Sequence, residues 1–280
     1  MDRVVVITGT SSGIGQATAI AFAQAGDTVV ATVRNPARAT ELRSTADRAG
    51  VEIQVLALDV TSDESVDAAI ERVLTEHGRV DVLVNNAGLG MQATLDELSI
   101  DDLQRALDVN YLGVARVTKA VLPSMHAAGA GCVIVVTSIA GALGQPFNDA
   151  YCASKHAVEG LFESMRPVEA ALGVKVCIVE PGPVATPFHD SSEQIDSTDP
   201  AIMRLKANYR QMMDGTLDRA QDADGVAEVI LAVADDPDAS LRHQSSRFTA
   251  RLLERKLADL SGEQVIAMTS PWIQPAPDPG

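Results

Sequence analysis

The chain has 280 residues, with 38 acidic against 22 basic side chains and 46% hydrophobic residues. At roughly 150 residues per domain, that is one large α/β domain or two small ones, with ample chain for a continuous core. A formal charge of −16 argues against a nucleic-acid groove or an anionic membrane surface as partner, because both call for a basic footprint.

The N-terminus passes from Met1-Asp2-Arg3 into Val4-Val5-Val6-Ile7, an apolar run too short for a signal peptide. No stretch reaches the ~18 apolar residues of a membrane helix. Cys132, Cys152 and Cys177 fit neither a paired disulfide framework nor CxxC metal spacing. They read as reduced core thiols, and the expected location is the cytoplasm.

Short β-branched runs recur at 4–8, 28–33, 53–58, 80–84, 132–137 and 174–179, each with the look of a buried parallel strand. Between them lie helical periodicities at 14–25, 64–77 and 100–121. This alternation predicts βαβ units in a doubly wound sheet of about seven parallel strands with helices on both faces, a single Rossmann-type domain over 1–270. Pro36 suits a helix start, Gly26 and Gly78 suit helix ends, and Ser62 or Asp63 can cap the helix that follows. After Pro181 the alternation stops, and the stretch to about Pro200 has loop chemistry. A substrate loop and cap is expected at about 183–220. Helices follow at 222–234 and 246–260, with a short strand near Leu241 between them. The tail 271–280, with four prolines in ten residues, is expected to fray.

Thr8-Gly9-Thr10-Ser11-Ser12-Gly13-Ile14-Gly15 joins the first strand to the first helix. Glycines admit a pyrophosphate close to the backbone, and the helix N-terminus offers it unpaired N–H groups. The spacing is G-x-x-x-G-x-G rather than G-x-G-x-x-G, and Gln16 stands where a phosphate-binding loop would carry lysine. The alternative is a glycine-rich turn without ligand. The second strand ends Thr32-Val33-Arg34-Asn35, with no carboxylate to hold adenosine ribose hydroxyls. Arg34 instead suits a 2′-phosphate, with hydroxyl donors from Thr10 and Ser11. This favours NADP(H), with NAD(H) possible, unless Arg34 is simply a solvated loop residue.

Tyr151 and Lys155 lie four residues apart, on one face of a helix. A free tyrosine with pKa ~10 is only about 0.1% ionised at pH 7, so using it as a base takes roughly 3 pH units, or about 4 kcal/mol. Lys155 and a cationic nicotinamide have the right sign of field. In reduction Tyr151 would instead donate its proton to the developing alkoxide. Ser138 ends the fifth strand thirteen residues earlier and can return to the phenol at the carboxyl edge of the sheet, where ligands bind. Asn85-Asn86-Ala87-Gly88 ends the fourth strand, and Asn110 follows within a helical segment, where it could equally be an ordinary surface amide. His77, His126, His156, His189 and His243 are scattered, and no metal site is expected.

Together these residues resemble the short-chain dehydrogenase/reductase superfamily over essentially the whole chain. TGxxxGxG, NNAG, Ser138, YxxxK and Pro181-Gly182-Pro183-Val184-Ala185-Thr186 occur in order. The resemblance implies that Tyr151 is the general acid/base, that Ser138 positions the carbonyl, and that Lys155 lowers the phenol pKa and binds the nicotinamide ribose. Asn110 would hold a water in the proton relay. It further implies adenine contacts at Asp59 and Val60, ribose contacts at Asn86 and Ala87, and carboxamide contacts at Val184 and Thr186. Within the superfamily, YCASKHAVEGLFE at 151–163, EPGPV at 180–184 and the stretch 247–268 are similar to the 17-beta-hydroxysteroid dehydrogenase and retinol dehydrogenase branch.

An NADP(H)-dependent, metal-free oxidoreductase acting on a hydrophobic secondary alcohol or ketone is therefore expected, as a homodimer or homotetramer. A catalytically silent dinucleotide-binding redox sensor or scaffold would need only the glycine turn. An epimerase or dehydratase of the extended branch fits the chain length, the glycine spacing and Arg34 less well. Two departures from the pattern are noted. Pro167 should kink or end the helix that starts near Tyr151, and 188–213 matches no substrate motif, although Met203, Leu205, Met212 and Met213 could line an apolar pocket or simply cover core.

Overall fold

The computed structural model describes residues 2–217 and 220–274. In chain order the first half contains β1 (Val4–Thr8), α1 (Gly13–Gln24), β2 (Thr28–Val33), α2 (Thr40–Ala49), β3 (Gln54–Ala57), α3 (Asp63–His77), β4 (Val82–Asn85), β5 (Met91–Gln92), α4 (Ile100–Leu107) and α5 (Gly113–Ala128). The second half contains β6 (Gly131–Val136), α6 (Asp149–Ala171), β7 (Val174–Glu180), α7 (Phe188–Ser191), β8 (Glu193–Gln194), α8 (Pro200–Leu217), α9 (Ala223–Asp235), β9 (Arg242–Gln244), α10 (Arg247–Ala258) and α11 (Glu263–Thr269).

Seven strands pair in the order β3-β2-β1-β4-β6-β7-β9, each neighbouring pair parallel. The order reverses between β1 and β4, and their carboxyl ends diverge there to leave a crevice. The residue alternation follows the pleat. Val4, Val6, Leu83, Val133 and Val135 face one layer, with Val66, Ile70, Val73, Val117, Val121 and Phe162 of α3, α5 and α6. Val5, Ile7, Val82, Val84, Ile134 and Cys177 face the other, with Ala19 and Phe22 of α1, Leu42 of α2, and Val226 and Ile230 of α9. Burying β-branched side chains on both faces is what makes these runs read as continuously apolar. Cys132, Cys152 and Cys177 are free and buried.

Local signals set the helix ends. Ser62 Oγ accepts from Ser65 N at 3.1 Å, and Gly78 closes α3 in the left-handed region at φ 75°. Pro36 opens a 3₁₀ turn (Pro36–Arg38) that precedes α2.

Four sequence expectations change. Pro167 does not interrupt α6, which runs 23 residues. The proline lies on the exposed side, where the Glu163 carbonyl deprived of its helical partner is open to solvent. The segment expected as helical at 100–121 runs on to Ala128 and carries a π-turn at Asp108–Leu112 that divides it into α4 and α5. The loop region after Pro181 contains the 18-residue α8, of which Lys206 and Tyr209 are buried. Where the tail was expected to fray from 271, Ser270–Ile273 form a 3₁₀ turn; positions 275–280 of the tail and 218–219 of the expected cap lie outside the described residues. No helix among the described residues is long and apolar enough to cross a membrane.

Candidate active site

The crevice opens into a cavity of about 620 Å³ that runs from the glycine turn past Tyr151 to α8 and α10. Gly9, Ser11, Ser12, Gly13 and Ile14 line its first part, together with Arg34, Asp59 and Val60. Asn86, Ala87 and Gly88 follow, then Ser138, Tyr151 and Lys155, and Pro181, Gly182, Val184 and Thr186 on the opposite wall. Three of the residues singled out in the sequence serve from behind the wall. Thr10 is fully buried and its hydroxyl donates to Thr32 O at 3.1 Å, so it offers a ligand nothing. Gly15 packs against Asn86 and the Gly9 carbonyl. Asn110 is fully buried.

The glycine turn is shaped to be approached closely. Gly9 (φ 71°) and Gly13 (φ 59°) occupy the left-handed region, and a Cβ on Gly9 would sit 2.7 Å from Ala87 Cα. Gly9→Ala therefore carries strain of order 1–3 kcal/mol. A Tm drop of about 2 to 8 °C is expected by differential scanning calorimetry. Ser12 caps α1 without a side-chain hydrogen bond, leaving its hydroxyl and the first-turn N–H groups for an anion. Asn86 ties this turn to β4. Its Nδ2 donates to Thr8 O at 2.9 Å and Gly9 O at 3.0 Å, and Thr8 Oγ1 accepts from the N–H groups of Asn86 and Ala87.

Arg34 is exposed at the adenosine end. The Thr61 N–H holds the Asp59 carboxyl below its ordinary value against partial burial, helped by the Thr61 hydroxyl and by the charge of Arg34. The residues present thus fit a dinucleotide: a glycine cradle, an open helix end and the Arg34 cation at the rim.

At the catalytic end, α6 presents Tyr151 and Lys155 one turn apart. The Lys155 ammonium lies 5.8 Å from the Tyr151 ring centroid and donates to Val136 O at 3.0 Å. Burial pushes its pKa down to about 8, with Glu159 pulling the other way. Burial pushes the Tyr151 phenol up, and a hydrogen bond with Ser138 opposes the rise. Ser138 begins a short turn at the end of β6 and accepts from Ala140 N at 3.2 Å. The Asn110 carboxamide accepts from Leu89 N at 2.7 Å and donates to Leu89 O and Ser154 Oγ, both at 2.9 Å. Its side chain therefore pins the backbone after Gly88 to α6, and the π-turn aims it inward, a placement often found at functional sites.

Gln145, Asn148, Phe188, Tyr209, Phe248, Leu252 and Trp272, none given a site role from the sequence, complete the far wall with Met212 and Met213, two of the four apolar residues the sequence offered as pocket lining. Met203 is exposed, and neither it nor Leu205 lines the cavity. Asn148 Nδ2 donates to Tyr209 Oη at 2.8 Å, and the Phe188 ring lies 5.9 Å from that of Tyr151. His189 also lines the cavity, and burial holds its imidazole below the ordinary value. The signal for α8 was present in Asp199-Pro200: the Asp199 carboxylate accepts from Ala201 N at 2.7 Å, with proline at the first helical position.

A family model described as short chain dehydrogenase matches residues 3–196, and the chain belongs to this family of NAD(P)-binding oxidoreductases. Among individual relatives it is 39% identical over 279 residues to the human 17-beta-hydroxysteroid dehydrogenase type 1, covering 94% of this chain and 83% of that one. To the bovine retinol dehydrogenase 8 it is 37% identical over 275 residues, covering 93% and 86%. Of solved structures, a short-chain dehydrogenase from Streptomyces avermitilis superposes with a TM-score of 0.80 at 32% identity and 97% coverage of both chains. An alcohol dehydrogenase from the archaeon Thermococcus sibiricus, complexed with 5-hydroxy-NADP, gives 0.70 at 30% identity, covering 87% and 95%. The chain is an oxidoreductase of the steroid and retinol dehydrogenase branch, acting on hydroxyl groups and their carbonyl counterparts.

Proposed function

We propose that the protein is an NADP(H)-dependent reductase or dehydrogenase of a hydrophobic secondary alcohol or ketone. The carrying observation is that the Tyr151 phenol, the Ser138 turn and the Lys155 ammonium converge on one cavity whose far wall is largely apolar. Bound nicotinamide supplies or accepts the hydride. Tyr151 exchanges a proton with the substrate oxygen, and a phenol kept neutral by burial is already in the form needed to protonate a developing alkoxide. Ser138 donates to the same oxygen, and Lys155, cationic below about pH 8, holds the cofactor ribose and supplies positive field beneath the phenol. Asn110 acts by fixing Leu89 and Ser154. Phe188, Met212, Met213, Phe248, Leu252 and Trp272 exclude water from the substrate.

The segment from Pro183 through α8 forms the substrate cap in this reading. The three buried thiols suit a reducing, cytoplasmic setting. Exposed Ile100, Leu107, Leu112 and Val168 are apolar surface that a homodimer or homotetramer would cover. The testing experiment follows absorbance at 340 nm with NADPH over a panel of sterols, aldehydes and aliphatic ketones. Turnover confined to bulky apolar carbonyls is expected. Tight NADPH binding with no turnover of any member would favour the silent sensor.

A further inference from the structure

Buried behind the catalytic end is a group of charges with no part in the chemistry described so far. Tyr151, Lys155 and Glu159 succeed one another at four-residue spacing on α6, so all three project from one face. Glu159 is 2% exposed and Glu180, the last residue of β7, is fully buried. Between them lies one guanidinium: Arg242 Nη1 of β9 donates to Glu159 Oε2 at 2.6 Å and to Glu180 Oε1 at 2.8 Å. Gln244 Nε2 donates to the second Glu180 oxygen at 2.7 Å. Thr137, the neighbour of Ser138, donates to Glu159 Oε1 at 2.9 Å. The carboxylate packs so closely under the next turn that a side chain at Gly141 would collide with it.

The charges do not cancel locally. Two buried carboxylates share one arginine, which leaves one negative charge over. Glu163 touches Arg242 only at 3.5 Å and is 65% exposed, so solvent screens it. Lys155, 4% exposed, is the buried cation left without a salt bridge among the described residues. Burying an uncompensated charge is costly, and here one excess of each sign lies on the same helix face. Asp149, His156, Glu163, Arg166 and Glu169 share α6 with Lys155. The elements packed against α6 carry Asp101, Asp102 and Arg105 on α4, Asp108 on the π-turn, and Lys175 and Glu180 on β7. Burial lowers the lysine, and the charge that opposes it is that of Glu159, which shares its face one turn further along α6.

We propose that Glu159, held by Arg242 and Glu180, is a positioning residue that supplies the counter-charge keeping Lys155 protonated in its buried setting. The inference rests on the reading of Lys155 as the cofactor-binding cation, but its test does not depend on turnover. The chain has five lysines, so the Lys155 signal in isotope-labelled protein can be assigned by comparison with Lys155→Arg and titrated by NMR. In Glu159→Gln the midpoint should fall by about one pH unit or more, the size expected on losing a nearby opposite charge. Glu180→Gln leaves the Glu159–Arg242 contact in place but neutralises the excess, so through the cluster it should lower the midpoint too, by less than Glu159→Gln; it carries the test if Glu159→Gln does not fold. The alkaline limb of cofactor kcat/KM should move down in parallel. Midpoints unchanged from the wild type would overturn the proposal. A midpoint shift in a protein that turns over without Tyr151 would leave the counter-charge standing and bring down the acid/base reading instead.

Discussion

Tyr151→Phe is expected to reduce ketone turnover by at least about 10³-fold, within the range general acid–base groups contribute, while NADPH binding by fluorescence titration stays within about twofold of wild type. The substitution is clean because it removes one oxygen and keeps the ring. The 5.9 Å aromatic contact with Phe188 and the 5.8 Å approach of Lys155 to the ring both survive, so the cavity wall and the ammonium stay where they are. A variant that keeps a tenth of wild-type turnover would rule out Tyr151 as the proton donor. A pH profile adds a second constraint. The phenol is raised by burial and stays neutral throughout the neutral range, so it sets no limb there. Lys155 has its pKa lowered to about 8, so it is charged below that pH and neutral above it. The kcat/KM for the cofactor, which reports the free enzyme, should be flat at neutral pH and fall as pH rises through about 8.

How much of this was legible in the sequence follows from how local each signal is. The strands were visible because both faces of the sheet are covered, and their ends fell within about two residues. The glycine turn, Ser138 and the Tyr151–Lys155 pair were visible because their chemistry fixes residue type and spacing over a few positions. Where tertiary context decides, the sequence is silent or misleads. Pro167 reads as a helix breaker, yet on an exposed face the carbonyl it leaves without a partner is open to solvent, and α6 runs on through it. Helix α8 hides its periodicity because an inward position is Lys206, whose Nζ donates to Gln92 O at 3.1 Å and Ile195 O at 2.5 Å; an amphipathicity argument counts a lysine as outward. Thr10 sits in the cofactor motif but turns its hydroxyl to Thr32, a choice made by the strand next door. Arg242 lies 83 residues from Glu159 and nothing local pairs them.

The second large effect is expected at Arg34. Arg34→Ala should weaken NADPH binding roughly 10- to 100-fold, the equivalent of the 1.5–3 kcal/mol of a charge-assisted contact, while NADH affinity changes little. The size of the contrast comes from Asp59. Arg34 is among the influences that keep that carboxylate ionised, so removing the guanidinium both deletes a phosphate partner and leaves a negative charge facing a 2′-phosphate. Arg34→Ala/Asp59→Asn should accordingly recover part of the lost NADPH affinity, which a purely geometric role for Arg34 would not allow. The −16 charge of the chain does not overturn this expectation, because screening over about 8 Å at physiological salt leaves near groups in control. It predicts instead that wild-type NADPH affinity rises slightly from low to moderate salt, as distant acidic residues are screened faster than Arg34, Lys155 and the open end of α1. Isothermal titration at several salt concentrations measures both effects. Equal losses for NADPH and NADH in Arg34→Ala, or a steep monotonic fall with salt in the wild type, would remove Arg34 as the determinant of cofactor choice.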